Sequence, residues 1–151
     1  NRYVGEWKED KFHGEGSFKY LNGDTYEGSW FMDKRNGKGI FTSSTGLQYE
    51  GDWENDLKHG EGEMNFANGN HYVGGWKKDS MNGSGEMVYK NGDRYKGDWI
   101  DGKQEGKGVV YDKYGFKEYK GDVKDGNWNG KGIEYDENGS KNTKVISKTE
   151  I

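Results

Sequence analysis

A short motif of aromatic residues and glycine recurs along the chain at a nearly constant interval, and this recurrence constrains the fold most strongly. Each copy begins with a tyrosine and has a glycine two residues later; in five of the six copies a tryptophan follows after two more residues. The tyrosines stand 23 or 24 residues apart, at Tyr3, Tyr26, Tyr49, Tyr72, Tyr95 and Tyr119. Such a period indicates a repeat protein whose units pack mainly against their neighbours.

The composition shows how these repeats can form a core with few aliphatic residues. The chain of 151 residues contains 11 Tyr, 6 Trp and 27 Gly. Each aromatic ring can bury roughly 150–250 Å², so rings can replace the missing aliphatic side chains. The absence of cysteine excludes disulfides and thiolate metal sites. The net charge is −4 with the two signs interspersed, which argues against a nucleic-acid surface.

The spacing inside each repeat predicts two β-strands. Tyr-x-Gly-x-Trp has a period of two, which places its three side chains on one face of a strand. A Gly-x-Gly segment with the same period follows, and each repeat closes on a turn glycine. These turn glycines are Gly23, Gly46, Gly69, Gly92, Gly115 and Gly139. The prediction is an all-β fold, a single elongated antiparallel meander of about twelve strands that is roughly 55 Å long.

The register of the hairpin follows from keeping the aromatic residues on one face. Pairing Tyr26 with Phe18 leaves a three-residue loop that ends at Gly23, where a left-handed residue is required. A two-residue turn would instead pair Tyr26 with Lys19 on the polar face. The same register places Trp30 opposite Gly14, and it leaves a wider loop between Trp7 and Gly14.

Glycine opposite tryptophan predicts that a ring lies over a residue without a side chain. On this interpretation, Gly60→Val places a branched side chain in the space of Trp76 and costs more than about 1 kcal/mol. The predicted structural glycines are Gly14, Gly16, Gly37, Gly39, Gly60, Gly62, Gly83, Gly85, Gly106 and Gly108.

The titratable residues do not form a recognisable catalytic or metal-binding pattern. His13 and His59 occupy the same position two repeats apart, roughly 19 Å in the predicted meander, which is too far for one metal ion. Aspartates recur in the wider loops, where they indicate turn chemistry. Glu6, Asp52, Asp98 and Asp122 are expected to form a solvated column opposite the aromatic face. We therefore expect no enzyme activity, no metal and no cofactor in this segment.

The aromatic columns have two interpretations. They can form the core, or they can line a groove for a ligand, since a single sheet has no second layer to cover it. The sheet could curl, form a homo-oligomer or accept a partner. The predicted binding aromatics are Tyr26, Trp30, Tyr49, Trp53, Tyr72, Trp76, Tyr95 and Trp99. Replacing Tyr49 or Tyr72 should then weaken partner binding while the array stays folded, whereas Asp52→Asn or Asp98→Asn should leave the affinity nearly unchanged.

The ordered motif Tyr-x-Gly-x-Trp, Gly-x-Gly and a turn glycine resembles the MORN (membrane occupation and recognition nexus) repeat. The resemblance covers residues 3–139, with a six-repeat array assigned to 1–139 and a tail to 140–151. The sixth repeat departs from the pattern, because Val123 replaces the tryptophan, the spacer before Tyr119 is one residue longer, and Trp128 stands in the wider loop. In the tail, Thr143–Ser147 is predicted to supply a capping strand, with fraying as the alternative.

The resemblance implies a twisted antiparallel sheet with a groove, used as a scaffold in cytoskeletal or membrane-junction assemblies. It also implies that the protein is cytoplasmic and peripheral to a membrane or to the cytoskeleton. The leading hypothesis is a non-catalytic scaffold that binds a helix or extended peptide along the aromatic groove. Alternatives are a phosphoinositide-binding surface, a regulatory module beside an enzyme domain, and a carbohydrate-binding repeat. Lysines that could serve the lipid alternative are Lys8, Lys77, Lys78 and Lys124.

Overall fold

The chain folds as one open antiparallel sheet whose strands follow each other in sequence order. The computed structural model describes the backbone of residues 1–146 and the side chains of residues 1–142. Within this part every strand pairs with the next one along the chain, and there is no helix. The strands are β1 Arg2–Lys8, β2 Lys11–Lys19, β3 Thr25–Phe31, β4 Lys34–Thr42, β5 Gln48–Glu54, β6 Leu57–Asn65, β7 His71–Lys77, β8 Ser80–Val88, β9 Arg94–Ile100, β10 Lys103–Tyr111, β11 Lys117–Lys124, β12 Asn127–Tyr135 and β13 Lys141–Ile146. The predicted all-β meander of tandem hairpins is confirmed.

The turns that close each repeat have the predicted three-residue form. Phe18 pairs with Tyr26 and Lys19 with Thr25, and the Tyr20 amide donates to the Asp24 carbonyl over 2.9 Å. The loop therefore consists of the three residues 21–23. The Gly23 amide donates to the Tyr20 carbonyl over 3.1 Å. Gly23 has a φ of 95°, in the left-handed region where a side chain is disfavoured. The aromatic face therefore continues across the turn, and Trp30 lies opposite Gly14.

The wider loop expected between Trp7 and Gly14 does not exist. Lys8 pairs with Lys11, which leaves a turn of only two residues, Glu9 and Asp10, with φ values of 50° and 63°. Both values match the type of tight turn that follows the twist of a hairpin. The second strand therefore begins at Lys11. The surplus residues belong to this strand and form a bulge between the Gly5–Gly16 pair and the Trp7–Phe12 pair. Sequence parity alone did not distinguish a loop from a tight turn with a bulge.

In repeats two, three and four the second residue of this tight turn is an aspartate that links its repeat to the one before it. Its carboxylate accepts a hydrogen bond of 2.8 Å from a backbone amide of the preceding repeat, in the pairs Phe12–Asp33, Arg35–Asp56 and Lys58–Asp79. The amide of the same aspartate donates back to the carbonyl of its partner. The expected turn chemistry of these aspartates is confirmed, and it also joins neighbouring hairpins.

The sixth repeat keeps the register despite its departures from the motif. The extra spacer residue is absorbed by an irregularity at Val110 and Tyr111. Val123 pairs with Trp128, whose ring stacks on Tyr119 with a centroid separation of 4.5 Å. Strand β13 then pairs with β12, whereas Ser147 of the predicted terminal strand lies outside the described residues. The division of the chain at residue 139 stays a prediction.

Candidate functional site

The predicted groove aromatics form a buried ladder along one face of the sheet, here called the ring face. The rings of Tyr26, Tyr49, Tyr72 and Tyr95 are at most 1% exposed, and the tryptophans between them are nearly as buried. The Tyr49 ring meets Trp53 of its own repeat at 5.1 Å and Trp76 of the next repeat at 5.2 Å, both edge to face. Edge-to-face contacts are the favoured arrangement of such rings. The same zigzag runs from Tyr26 to Trp99.

The polar atoms of these rings form hydrogen bonds within the sheet. The Tyr49 hydroxyl donates to the Asp52 carbonyl over 2.8 Å, and the Trp76 Nε1 donates to the Gly62 carbonyl over 3.2 Å. The corresponding bonds occur at the other tyrosines and tryptophans of the ladder. Each ring therefore bonds the backbone of its own or the preceding repeat, which ties neighbouring hairpins together.

The two glycines of each Gly-x-Gly segment have different roles. A Cβ on Gly62 would lie within 2.5 Å of the Tyr49 ring, so the tyrosine rests on the second glycine. Gly60 lies in the bulge with a φ of 89°, and a Cβ there would meet the Asp52 carboxylate at 2.7 Å. The prediction that the first glycine lies under Trp76 is therefore wrong. Gly60→Val is still expected to destabilise the array, because of backbone strain and Asp52.

The acidic column opposite the rings supports the bulge. Oδ2 of Asp52 accepts from the Glu61 amide over 2.9 Å, and Asp98 and Asp122 accept equivalent bonds. Burial alone would raise the pKa of Asp52, but hydrogen bonds from the Lys38 amine and the Glu61 amide outweigh it and hold that pKa below its usual value. These carboxylates have a structural role that the expected solvated column did not include.

Access to the ring face is limited by a row of side chains that the sequence analysis missed. Each member lies five residues after the tryptophan position and pairs with it across the tight turn: Phe12, Arg35, Lys58, Met81, Gln104 and Trp128. The Arg35 guanidinium lies 4.4 Å from the Trp53 ring centroid, within the range of a cation–π contact. A ligand on this face would meet the covering row first. The binding role of the eight predicted rings stays a prediction.

The buried tyrosines predict a characteristic response to alkaline pH. Burial raises the pKa of Tyr26, Tyr49, Tyr72 and Tyr95 above the ordinary value of 10.0. Above pH 10 the unfolded chain releases protons that the folded chain keeps, so stability is complete below that pH and declines above it. We expect the urea midpoint to be constant up to about pH 9 and to fall from about pH 10. A flat midpoint across this range would contradict the burial of the hydroxyls.

The opposite face, here called the cavity face, carries open concave sites. One cavity of about 490 Å³ is lined by backbone glycines and by the side chains of Glu15, Glu27, Lys38, Ile40 and Glu50. Another, of about 540 Å³, is lined by Lys96, Val109, Lys120, Lys131 and Ile133, among other residues. Solvent-exposed apolar side chains on the same face include Val4, Phe31, Val73 and Ile100. Both cavities therefore lie on the face opposite the aromatic ladder that the sequence singled out.

Two of the three histidines lie against glutamate carboxylates. His59 lies 3.2 Å from a Glu54 carboxylate oxygen, and His71 lies 2.9 Å from one of Glu63. No group of three or more potential ligands that could hold a metal ion occurs among the residues with described side chains. Those residues also contain no helix of the length and apolarity needed to cross a bilayer.

An open sheet of regular hairpins with an internal tyrosine–tryptophan ladder defines a β-repeat protein. The MORN repeat family model matches six segments, residues 3–25, 26–48, 49–71, 72–94, 95–112 and 119–141, so the chain belongs to that family. No curated protein sequence matches it significantly. Similar solved structures include the TCP domain of Drosophila melanogaster SAS-4 in complex with a proline-rich motif of Ana2. This domain is 18% identical, the match covers 88% of this chain and 72% of that one, and the TM-score is 0.47.

Proposed function

We propose that this chain is a non-catalytic protein-interaction scaffold that holds a helix or an extended peptide of a partner along its sheet. The observation that carries the proposal is that the described residues form one layer, with no second layer packed on either face. Sheets ordinarily bury one face against another element. Here the aromatic side chains bury each other, and the cavity face keeps indentations and exposed apolar residues that a partner can cover.

Two places on the sheet are candidates for the ligand. The first is the ring face, where the ligand would contact the covering row and the partly buried Phe41 rather than the ladder itself. The second is the cavity face, where Val73 is 48% exposed. A cytoplasmic position at the cytoskeleton or a membrane junction belongs to the same proposal, and homo-oligomerisation is its alternative for covering the sheet.

The test is selection from a displayed library of random segments of about 20 residues, which span about 30 Å as a helix. The immobilised chain should enrich sequences that bind the free chain in calorimetry. Phe41→Ser and Val73→Glu form a matched pair that reports the face, provided that both variants keep the parental melting temperature. Failure to enrich any sequence over a surface without protein would remove the scaffold function.

The lysine-lined cavity is a specific observation in favour of a second candidate, a phosphoinositide surface. Lys96, Lys107, Lys120, Lys131 and Lys141 surround it. Clustered lysines attract anionic headgroups. Lys107, however, is paired with Asp122 at 2.7 Å, and Glu86 lies next to Lys96 across the strands. Flotation with vesicles that contain or lack phosphoinositide tests this candidate directly.

A further inference from the structure

One row of side chains on the cavity face has its negative charges in the first half of the sheet and its positive charges in the second half. This row crosses the strands through directly paired positions, from β3 to β12. In order along the sheet it reads Glu27, Ile40, Glu50, Glu63, Val73, Glu86, Lys96, Val109, Lys120 and Ile133. Every carboxylate of this row precedes every lysine, and apolar residues are interspersed in both halves. The row is thus an acidic half followed by a basic half.

Two cavities occupy equivalent places in these halves. Glu27 and Glu50 flank Ile40 in the first, and Lys96 and Lys120 flank Val109 in the second. The two triplets have the same register three repeats apart. Six strand spacings of about 4.8 Å separate them, or about 29 Å along the sheet.

The charges that flank the two apolar residues are available to a ligand. Among residues with described side chains, Glu27, Glu50, Lys96 and Lys120 take part in no ion pair and no side-chain hydrogen bond. Neighbouring charges are already used within the sheet, since Lys38 pairs with Asp52 and Lys107 with Asp122. An unpaired charge of each sign at a fixed separation can select a ligand by charge complementarity.

The direction of the row determines which kind of peptide can follow it. A segment that links the cavities crosses the strands, so it cannot join their hydrogen-bond ladder as an added strand would. From β3 to β12 each strand is paired on both sides. Backbone groups of the ligand that are buried against the sheet then lack partners in it, and a helix satisfies such groups internally. At 1.5 Å per residue, about 29 Å corresponds to about 19 residues.

We propose that the cavity face binds one amphipathic helix of a partner protein in a fixed orientation. Its basic end lies over Glu27 and Glu50 and its acidic end over Lys96 and Lys120. Two apolar side chains about 18 residues apart, which is five full turns and about 27 Å, face the same side of the helix and enter the cavities at Ile40 and Val109. This assignment rests on the proposed scaffold function and specifies the partner's chemistry. An anionic membrane fits less well, because the acidic half of the row would repel it.

The probe is a synthetic helical peptide with leucine and glutamate in its first turns, alanine in the middle, and leucine and lysine in its last turns. This order of charges also stabilises the helix. The control has the same composition with glutamate and lysine interleaved. We expect the segregated peptide to bind the full chain at least tenfold more tightly at low salt, and less so as salt is raised. Equal affinity of the two peptides overturns the proposal.

Charge-reversal variants test the assignment of residues. The double variants Lys96→Glu/Lys120→Glu and Glu27→Lys/Glu50→Lys should each bind the segregated peptide at least tenfold more weakly, at the parental melting temperature. The variant with all four substitutions reverses the order of charge and should regain binding with the helix turned around. A spin label on the acidic end should broaden amide signals of repeats five and six in the parent, and of repeats two and three in that variant.

The remaining outcomes separate this proposal from the function on which it rests. If the variant with all four substitutions does not regain binding, the fixed orientation is overturned. The same holds if the spin label broadens signals of the same repeats in the parent and in that variant. If phosphoinositide vesicles bind the chain and the peptide does not, the helix proposal is overturned in favour of a lipid ligand. Library ligands without segregated charge would leave the scaffold function standing and remove only the helix assignment.

Discussion

Replacing Tyr49 with alanine is expected to lower the free energy of unfolding by about 4 kcal/mol. The Tyr49 ring is fully buried, meets Trp53 and Trp76 edge to face, and rests on Gly62. Removing it opens a cavity between two repeats and takes away the hydroxyl that bonds the Asp52 carbonyl. Urea unfolding followed by tryptophan fluorescence measures the loss.

Two controls separate the ring from its hydroxyl and from aromatic residues in general. Tyr49→Phe keeps the ring and removes one hydrogen bond, for which we expect about 1 kcal/mol. Tyr114 is 74% exposed, and Tyr114→Ala should change stability by less than about 0.5 kcal/mol. A similar stability for Tyr49→Ala and Tyr114→Ala would contradict the ladder as the core. The earlier expectation that Tyr49 can be replaced without loss of folding is revised accordingly.

Replacing Gly62 with alanine is expected to cost about 3 kcal/mol, the upper part of the usual range for inserting a group into a packed core. The added Cβ would overlap the Tyr49 ring, which has Trp53 and Trp76 on its other sides. The ring cannot move away without breaking both contacts and its hydroxyl bond. Thermal and urea unfolding of the variant give the cost directly.

Gly83→Ala is the matched control because Gly83 belongs to the same kind of Gly-x-Gly segment. A Cβ there would have no neighbour within 4 Å, and the φ of 87° leaves only backbone strain. We expect about 1 kcal/mol for this variant. Equal costs for Gly62→Ala and Gly83→Ala would mean that the tyrosine does not rest on the second glycine.

The two faces of this sheet have separable roles. The ring face supplies the packing, since tyrosine, tryptophan and glycine of successive repeats bury one another. Exposed charges such as Glu27 and Lys120 on the cavity face are not needed for that packing. Surface substitutions away from packed or bonded groups usually change stability by less than about 0.5 kcal/mol. The order of charge along the cavity face can therefore vary without loss of the fold, which suits a scaffold that selects its partner.

The local sequence pattern was sufficient to predict the strands and the three-residue turns. A period of two defined the face of Tyr26 and Trp30, and the position of Gly23 selected the loop that keeps Phe18 opposite Tyr26. The same reasoning did not predict the tight turn at Glu9 and Asp10. A loop and a two-residue turn followed by a bulge have equal parity, and neither residue of this first turn is a glycine that would indicate positive φ. The signal is present at the same place in repeats five and six, where the turns are Asp101-Gly102 and Asp125-Gly126.

Only the tertiary structure decided where the rings lie and which surface remains open. Spacing placed Tyr49 and Trp76 on one face, but their burial depends on contacts between successive repeats and on a covering row that contains Lys58 and Met81. Lysine is ordinarily assigned to solvent, so the sequence left open whether the rings form the core or line a groove. Likewise, Glu27 and Lys120 are far apart in the chain, and their common row appears only when strand pairing aligns the repeats. The sequence by itself determined the hairpin and its period because these depend on neighbouring residues, whereas burial and charge order depend on contacts between repeats.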